Sequence, residues 1–148
     1  MQARQAQRRD RHDWLRMRSE LWPDCEAQHE ADIAAYFAGD EGHTDQALVC
    51  ESDAGELLGF IELRVRNYAE GSRQHRVPFV EGWYAHRDAR GMGVGAALVA
   101  AAEAWAIDAG YRELASNTTL DNKVSCKAHL ALGFEEVERT VNFLKPLG

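Results

Sequence analysis

The stretch RDARGMGVGAALVAAAEAW, residues 87–105, constrains the fold more than any other part of this 148-residue chain. Three glycines alternate with Met92 and Val94 directly before an alanine-rich segment that is typical of a helix. Glycine leaves backbone N–H groups unshielded and adopts positive φ readily, and a helix N-terminus carries partial positive charge. A single glycine would be enough for a tight connection. The run therefore predicts a strand–turn–helix unit whose turn binds a phosphate group.

Two cofactor patterns overlap in this turn. The run from Gly91 to Ala96 fits the G-x-G-x-x-A dinucleotide fingerprint, whereas Arg90 to Gly95 fits the R-x-x-G-x-G pattern of a different cofactor. A dinucleotide site also needs an acidic residue about 20 positions on, at the end of the next strand. Asp108 lies near that distance but falls at the end of the predicted helix, where it cannot reach a ribose. A dinucleotide site is therefore disfavoured. The chain has no G-x-x-x-x-G-K-[ST] motif, so a nucleoside-triphosphate loop is excluded as well.

Apolar periodicity and turn residues predict the remaining elements. Helices are expected near 14–22, 26–38, 93–109 and 123–132, and strands near 46–52, 57–68, 77–87, 111–117 and 134–147. Antiparallel strands come first and a β-α-β-α-β segment follows, which indicates a mixed α/β domain rather than a doubly wound sheet. The faces of the strand at 57–68 are ambiguous. In the strand at 77–87 an internal Gly82 predicts a bulge or a close backbone approach.

Composition limits the class of protein. A chain of this length is expected to form a single domain, residues 1–148. A net charge of −7 disfavours a nucleic-acid partner, and no apolar run approaches the ~18 residues of a membrane span. The basic residues near the N-terminus are interpreted as a solvated helix face. Three scattered cysteines, Cys25, Cys50 and Cys126, indicate a reducing, cytoplasmic setting.

No metal site is predicted. His29 and Glu30 begin an H-E-x-x pattern, but Ile33 stands where the second metal-binding histidine of a zinc site would be.

Several motifs carry a family resemblance. The segment RDARGMGVGAAL resembles the acetyl-CoA loop of the GCN5-related N-acetyltransferase superfamily, and DNKVSCKAHLALGFEE resembles its next hallmark. The segments LRMRSELWPD, RNYAEG, FVEGWYAHRDARGMGVG, ELASNTTLDN and ALGFEEVER, in this order, resemble the aminoglycoside 6'-N-acetyltransferases. The resemblance implies a mostly antiparallel mixed sheet, flanked by helices and splayed at the acetyl-CoA site. It also implies direct acetyl transfer to the 6'-amine of an aminoglycoside, which confers antibiotic resistance.

The resemblance also implies which residues bind acetyl-CoA. Backbone groups of the strand before the turn would bind the acetyl group and the pantetheine arm, at Trp83, Tyr84 and Ala85. The pyrophosphate cradle would be formed by Gly91, Met92, Gly93, Val94, Gly95 and Ala96. The cofactor asparagine of the family falls on Asn122. This residue is also placed to cap the following helix, and the two roles are compatible.

Two residues are expected to act in catalysis. Glu81 matches the active-site carboxylate of the family, where it would accept the proton of the substrate amine and hold the cationic substrate. A carboxylate on a solvated strand face is the alternative interpretation of Glu81. His129 stands where the superfamily usually has a tyrosine that protonates the departing thiolate, a task that a histidine can perform. A purely structural role is the alternative for His129.

Four further residues match substrate-contacting positions. Trp22 and Tyr68 would offer aromatic rings to a sugar, although Trp22 also fits the apolar stripe of its helix. Glu138 matches a carboxylate that meets a substrate ammonium group, either in the same chain or from a partner subunit; a solvated charge is the alternative interpretation. Asn117 replaces the aspartate that the family commonly has, so it keeps hydrogen bonding and loses the charge.

Two departures from the family pattern leave other functions open. Asn117, and Cys25 in place of a family histidine, permit a different acceptor, namely a polyamine, a metabolite amine or a protein terminus. A non-catalytic acetyl-CoA-binding module is a further alternative, and Glu81 argues against it. The family members are often homodimers, and the apolar segment VNFLKPL at the C-terminus is suited to pairing with a second copy.

Overall fold

The computed structural model describes residues 1–41 and 43–148. The strands are β1 Gln2–Gln5, β2 Gln46–Glu51, β3 Leu57–Arg66 and β4 Val77–Ala85. The α-helices are α1 Arg11–Leu21, α2 Glu26–Ala38, α3 Val94–Asp108 and α4 Lys123–Ala131. Short 3₁₀ turns at Arg8–Asp10 and Arg87–Ala89 precede α1 and α3. In the described part of the chain, none of the helices is long and apolar enough to cross a bilayer.

The strands form one antiparallel sheet in the order β1-β2-β3-β4. Residues alternate between the two faces of a strand, and β3 shows this clearly. Ile61 and Leu63 pack on the side of α3 with Leu98 and Val99, whereas Phe60 packs on the opposite side with residues of α1 and α2. The sheet is therefore covered on both faces, and the ambiguous charges of β3 share the face of Phe60.

The N-terminus was predicted wrongly. Gln2–Gln5 form an edge strand on β2, not part of a solvated helix face. Arg4 lies between two carboxylates, donating to Asp10 at 2.8 and 2.9 Å and to Glu51 at 2.8 Å. The short polar strand has no apolar alternation that would reveal it. Its place depends on the exposed edge of β2 and on these ion pairs.

Asp10 anchors this strand, and its replacement tests the anchor. Burial opposes its ionisation, but hydrogen bonds from Arg4 and the Gln7 N–H outweigh burial and hold the pKa of Asp10 below 3.8. A depressed pKa stabilises the fold above the unfolded-state pKa, and this is lost as pH falls through the folded-state value. We expect Asp10→Asn to lower the free energy of unfolding by about 1–3 kcal/mol near neutral pH.

Urea unfolding near neutral pH and at successively lower pH measures this difference, which should shrink as the pH falls through the folded-state pKa. Asp53→Asn removes an exposed carboxylate that pairs with the N-terminal amine, so it serves as the matched control and should change little. A difference for Asp10→Asn that persists in acid would contradict the ion-pair explanation.

Two strands predicted near the C-terminus were also wrong. The first is reduced to a single bridge, and the second does not form. The segment 111–117 contacts the sheet through one isolated parallel bridge, between Phe79 and Ala115. Residues 134–147 form neither strand nor helix, and apart from Phe134 their large apolar side chains are exposed, with Phe143 at 92%. Alternating apolar residues form a strand only where a sheet edge is available to pair with them. Here none of the described strands pairs with the segment, so it stays irregular.

Candidate active site

Glu81 lies at a bulge in the centre of β4. Val80 pairs with Leu63 and Gly82 pairs with Glu62, so Glu81 has no partner across the ladder with β3. A bulge inserts one extra residue into a strand and turns its side chain in a new direction. The structure thereby confirms the bulge that Gly82 predicted.

Arg66 at the end of β3 binds the Glu81 carboxylate through two hydrogen bonds. Its Nε donates to Oε1 at 2.8 Å and its Nη2 donates to Oε2 at 2.7 Å. The guanidinium also lies over the ring of Phe79, 3.6 Å from the centroid. The hydrogen bond with Glu81 raises the pKa of Arg66 above its ordinary value. Sequence reasoning missed this pair, because the partners of Arg66 depend on the register set by the bulge.

Trp22 stands directly beside the bulge. It follows the last residue of α1, and its indole ring covers the backbone of Gly82, where a Cβ would come within 2.5 Å of Cη2. The Arg18 guanidinium lies 5.2 Å from the Trp22 ring, and His29 Nε2 is 2.7 Å from the Trp22 carbonyl oxygen. Trp22 is partly exposed, so it combines the packing role with a surface next to Glu81.

A buried ion pair lies next to Trp22 and joins β3 to α1. Glu62, 2% exposed, pairs with Arg18 at 3.0 Å and accepts hydrogen bonds from Trp14 Nε1 at 3.0 Å and Thr44 Oγ1 at 3.2 Å. Burial raises the pKa of Glu62, opposed by Arg18. Because Arg18 also contacts the Trp22 ring, the pair connects the sheet to the segment after α1. Sequence reasoning did not identify Glu62; the signal was a glutamate within the apolar run at 57–63.

The glycine turn forms the N-terminus of α3. Gly91 and Gly93 adopt left-handed φ values of +81° and +87°, which a side chain would make unfavourable. The first N–H groups of a helix have no acceptor within it, and Val94 is the first residue of α3. Trp83 joins β4 to this turn, since its Nε1 donates to the Gly95 carbonyl at 3.3 Å. The turn therefore offers donors and partial positive charge at the end of β4.

The strand β4 diverges from its outer neighbour at the same place. Val80 N–H donates to the Ala115 carbonyl at 2.8 Å, and Ala115 N–H donates to the Pro78 carbonyl at 2.9 Å. Beyond Val80, no described strand pairs with β4 on that side. An open strand edge of this kind presents free backbone donors and acceptors to an extended ligand.

His129 lies between Trp83 of β4 and Ser116, which belongs to the segment that diverges from β4. Its ring packs edge-on to Trp83 and Phe134, with centroids 5.2 and 5.1 Å away. Its Nδ1 is 2.7 Å from the Ser125 carbonyl oxygen, which only accepts, so Nδ1 carries the proton in the neutral ring. Nε2, 2.7 Å from Ser116 Oγ, then accepts a hydrogen bond from that hydroxyl. Sequence reasoning did not identify Ser116.

The remaining predicted residues are placed as follows. Tyr84 is buried, and its hydroxyl donates to Glu20; burial, with this bond, raises the pKa of Tyr84 to about 12. Asn122 caps α4, where its Oδ1 accepts from the Ser125 N–H at 3.1 Å. Asn117 and Glu138 are exposed, and Tyr68 is 65% exposed on the loop after β3.

Fold and site together define a class of protein. The antiparallel sheet is covered on both faces, and its last strand, β4, carries a bulge and diverges from the segment beyond it. The glycine turn that opens α3 follows this same strand. Within the described residues no group of three or more His, Cys, Asp or Glu side chains is arranged to hold a metal ion. The sequence profile of the acetyltransferase (GNAT) family matches residues 11–134. The chain belongs to this family and has its fold.

Curated relatives narrow the resemblance to one branch. Over 139 residues the chain is 48% identical to an aminoglycoside N(6')-acetyltransferase type 1 from Klebsiella aerogenes, covering 93% of this chain and 91% of that protein. It is 43% identical to the type 1 enzyme from Stenotrophomonas maltophilia, with 97% and 92% covered.

Solved structures agree with this placement. The apo aminoglycoside antibiotic 6'-N-acetyltransferase from Acinetobacter haemolyticus superposes with a TM-score of 0.87 at 33% identity, covering all of both chains. AAC(6')-Iy in complex with the bisubstrate analogue CoA-S-monomethyl-acetylneamine gives a TM-score of 0.89 at 33% identity, covering 98% of this chain and 97% of that one.

Proposed function

We propose that this protein transfers the acetyl group of acetyl-CoA to the 6'-amine of aminoglycoside antibiotics and so confers resistance to them. One observation carries the proposal: the bulge that carries Glu81 lies on β4, and the glycine turn of α3 follows the same strand after its last four residues and a short 3₁₀ turn. A phosphate cradle and a carboxylate are thereby held at the two ends of one open strand edge. Relatives and solved neighbours named for this reaction support the choice of substrate.

The residues at this edge fit acetyl-CoA. The turn from Gly91 to Ala96 would hold the pyrophosphate on backbone N–H groups, because its left-handed glycines leave the approach free of side chains. The backbone of Trp83 to Ala85 would bind the pantetheine arm along the unpaired edge. Asn122 would add a polar contact while it caps α4. When bound, the thioester supplies an activated acetyl group.

Glu81 would accept the proton of the attacking amine, directly or through a water molecule. An ammonium group cannot attack a carbonyl until it loses a proton, and a positioned carboxylate can both hold the cation and accept that proton. A backbone N–H of β4 beyond the bulge would polarise the thioester carbonyl. Because both substrates meet at one place, much of the acceleration comes from proximity. The amine attacks directly, with no acetyl-enzyme.

His129 would return a proton to the departing thiolate. In the neutral ring, Nε2 accepts from Ser116 and carries no proton, so His129 must first be protonated; it can then donate directly or through the Ser116 hydroxyl. The packing between Trp83 and Phe134 fixes the ring for this task.

Trp22, Tyr68, Asn117 and Glu138 would contact the aminoglycoside. Trp22 is the best supported of the four, since its ring covers Gly82 beside Glu81 and remains partly exposed. An acidic protein with a net charge of −7 also attracts a polycation. Asn117, an exposed amide where the family has a carboxylate, favours an alternative acceptor such as a polyamine or a metabolite amine.

Gly82→Ala tests the role of Trp22. A Cβ at this position would lie 2.5 Å from Cη2 and 3.0 Å from Cζ2 of Trp22, so the ring must move. We expect the KM for tobramycin to rise by about tenfold while the KM for acetyl-CoA stays unchanged. In a Trp22→Ala background the same change should have little effect. Equal increases in both KM values would contradict the assignment.

We also infer that the protein is a homodimer and works in the cytoplasm. The exposed apolar side chains of residues 134–147 need a partner, and a second copy with an open sheet edge supplies one. The three cysteines are free, as expected in a reducing compartment. Light scattering should give the mass of a dimer, and the mass of a monomer would contradict this inference.

Release of free thiol from acetyl-CoA tests the proposed reaction. We expect release with tobramycin or kanamycin that depends on both substrates. Turnover with spermidine and none with either antibiotic would favour the alternative acceptor class. Binding of acetyl-CoA without release in the presence of any amine would indicate a binding module.

A further inference from the structure

The carboxylate at the centre of the proposed site is already bound by a cation of the same chain. Both oxygens of Glu81 accept hydrogen bonds from Arg66, in the two-pronged arrangement that is strongest between guanidinium and carboxylate. The pair as a whole is neutral. A substrate ammonium group that approaches Glu81 therefore meets no net negative charge until the guanidinium moves away.

The surroundings of Arg66 allow this movement. The side chain of Arg66 is 40% exposed and that of Glu81 is 30% exposed. An ion pair at this level of exposure contributes little net free energy and is open to exchange. The ring of Phe79 and the nearby charge of Glu70, which also raises the pKa of Arg66, remain available to the displaced guanidinium.

We propose that Arg66 occupies the ammonium subsite of Glu81 as an internal competitor that the amine of the acceptor must displace; this rests on the proposed function. Every amine meets the same competitor, so the penalty lowers the affinity of all acceptors by a constant factor. A small monoamine, which has no other contacts, then binds too weakly to be a useful acceptor. An aminoglycoside is weakened by the same factor but still binds, because it makes further ammonium and ring contacts.

Arg66→Gln removes the competing cation, and Arg64→Gln is the matched control. Arg64 is exposed two residues earlier on β3, so the control removes the same charge from the same strand without touching Glu81. Calorimetric titration in saturating CoA would use two ligands, tobramycin and the singly charged sugar 6-amino-6-deoxyglucose. Without acetyl-CoA no turnover disturbs the measurement.

We expect Arg66→Gln to tighten both ligands by the same factor, about fivefold to tenfold, with the KM for tobramycin falling in parallel. Arg64→Gln should not reproduce this gain, and the gain should disappear in a Glu81→Gln background. A gain that grows with the charge of the ligand, or that Arg64→Gln reproduces, would show only a general field effect and overturn the proposal. Unchanged or weaker binding in Arg66→Gln would overturn it as well.

Thiol release separates this proposal from the proposed function. If the wild-type protein acetylates neither antibiotic but Arg66→Gln still tightens both amines, acetyl transfer to aminoglycosides fails and displacement stands. If thiol is released and Arg66→Gln gives no gain, the reverse holds. Binding of neither amine to either variant would contradict both proposals.

Discussion

Glu81→Gln should reduce the turnover number for tobramycin by about 100-fold or more, because the amide cannot accept the amine proton. Glutamine has the shape of glutamate and can still accept a hydrogen bond from Arg66 through its carbonyl oxygen. Partial exposure of the pair means that the fold does not depend on it. The affinity for CoA should remain close to that of the wild-type protein, since the glycine turn is unchanged.

Initial rates of thiol release at saturating substrates, together with calorimetric titration of CoA, measure both effects. Glu56→Gln is the matched control, because it makes the same chemical change on the exposed turn between β2 and β3. The control should turn over at the wild-type rate. Turnover of Glu81→Gln at that same rate would remove Glu81 from the mechanism.

Gly93→Val should weaken the binding of acetyl-CoA by at least about tenfold. Gly93 has a φ of +87° at the start of α3, a conformation that is strained for a β-branched residue. The added side chain would also stand where the phosphate approaches the backbone N–H groups, since only the end of Met1 lies within 4 Å of the added Cβ. The dissociation constant of CoA, measured by calorimetry, reports the loss.

Gly110→Val is the control that distinguishes backbone strain from damage to the phosphate-binding turn. Gly110 lies just after the other end of α3, with a φ of +91° and nothing within 4 Å of an added Cβ. Both variants should lose similar stability against urea, and only Gly93→Val should lose affinity for CoA. Equal losses of affinity in the two variants would mean that general destabilisation, rather than the cradle, explains the effect.

Local signals made the conformation of the glycine turn and of the bulge predictable. The turn before α3 depends on glycines adjacent in sequence, and these residues need no distant partner to reveal their conformation. The internal Gly82 likewise indicated the bulge beside Glu81, and the structure confirms it. Asn122 caps α4 as the sequence indicated, whereas its contact with acetyl-CoA stays a prediction.

Features that depend on distant partners were not predictable. β1 has no apolar alternation and is held by the edge of β2 and by Arg4. The expected strand at 134–147 does not form, since none of the described strands pairs with it and its own residues do not reveal that. The pairing of Arg66 with Glu81 required the register of two strands and the bulge between them. Each depends on tertiary contacts that overrule or supplement the local pattern.

A matched pair of antibiotics tests the central claim most directly. Neomycin B has an amine at the 6' position, and paromomycin has a hydroxyl at the same position in an otherwise identical molecule. With each antibiotic in turn, thiol release and the mass of the product would be measured after incubation with acetyl-CoA. We predict rapid release and a single added acetyl group with neomycin B, and neither with paromomycin. Equal acetylation of the two antibiotics would contradict transfer to the 6'-amine.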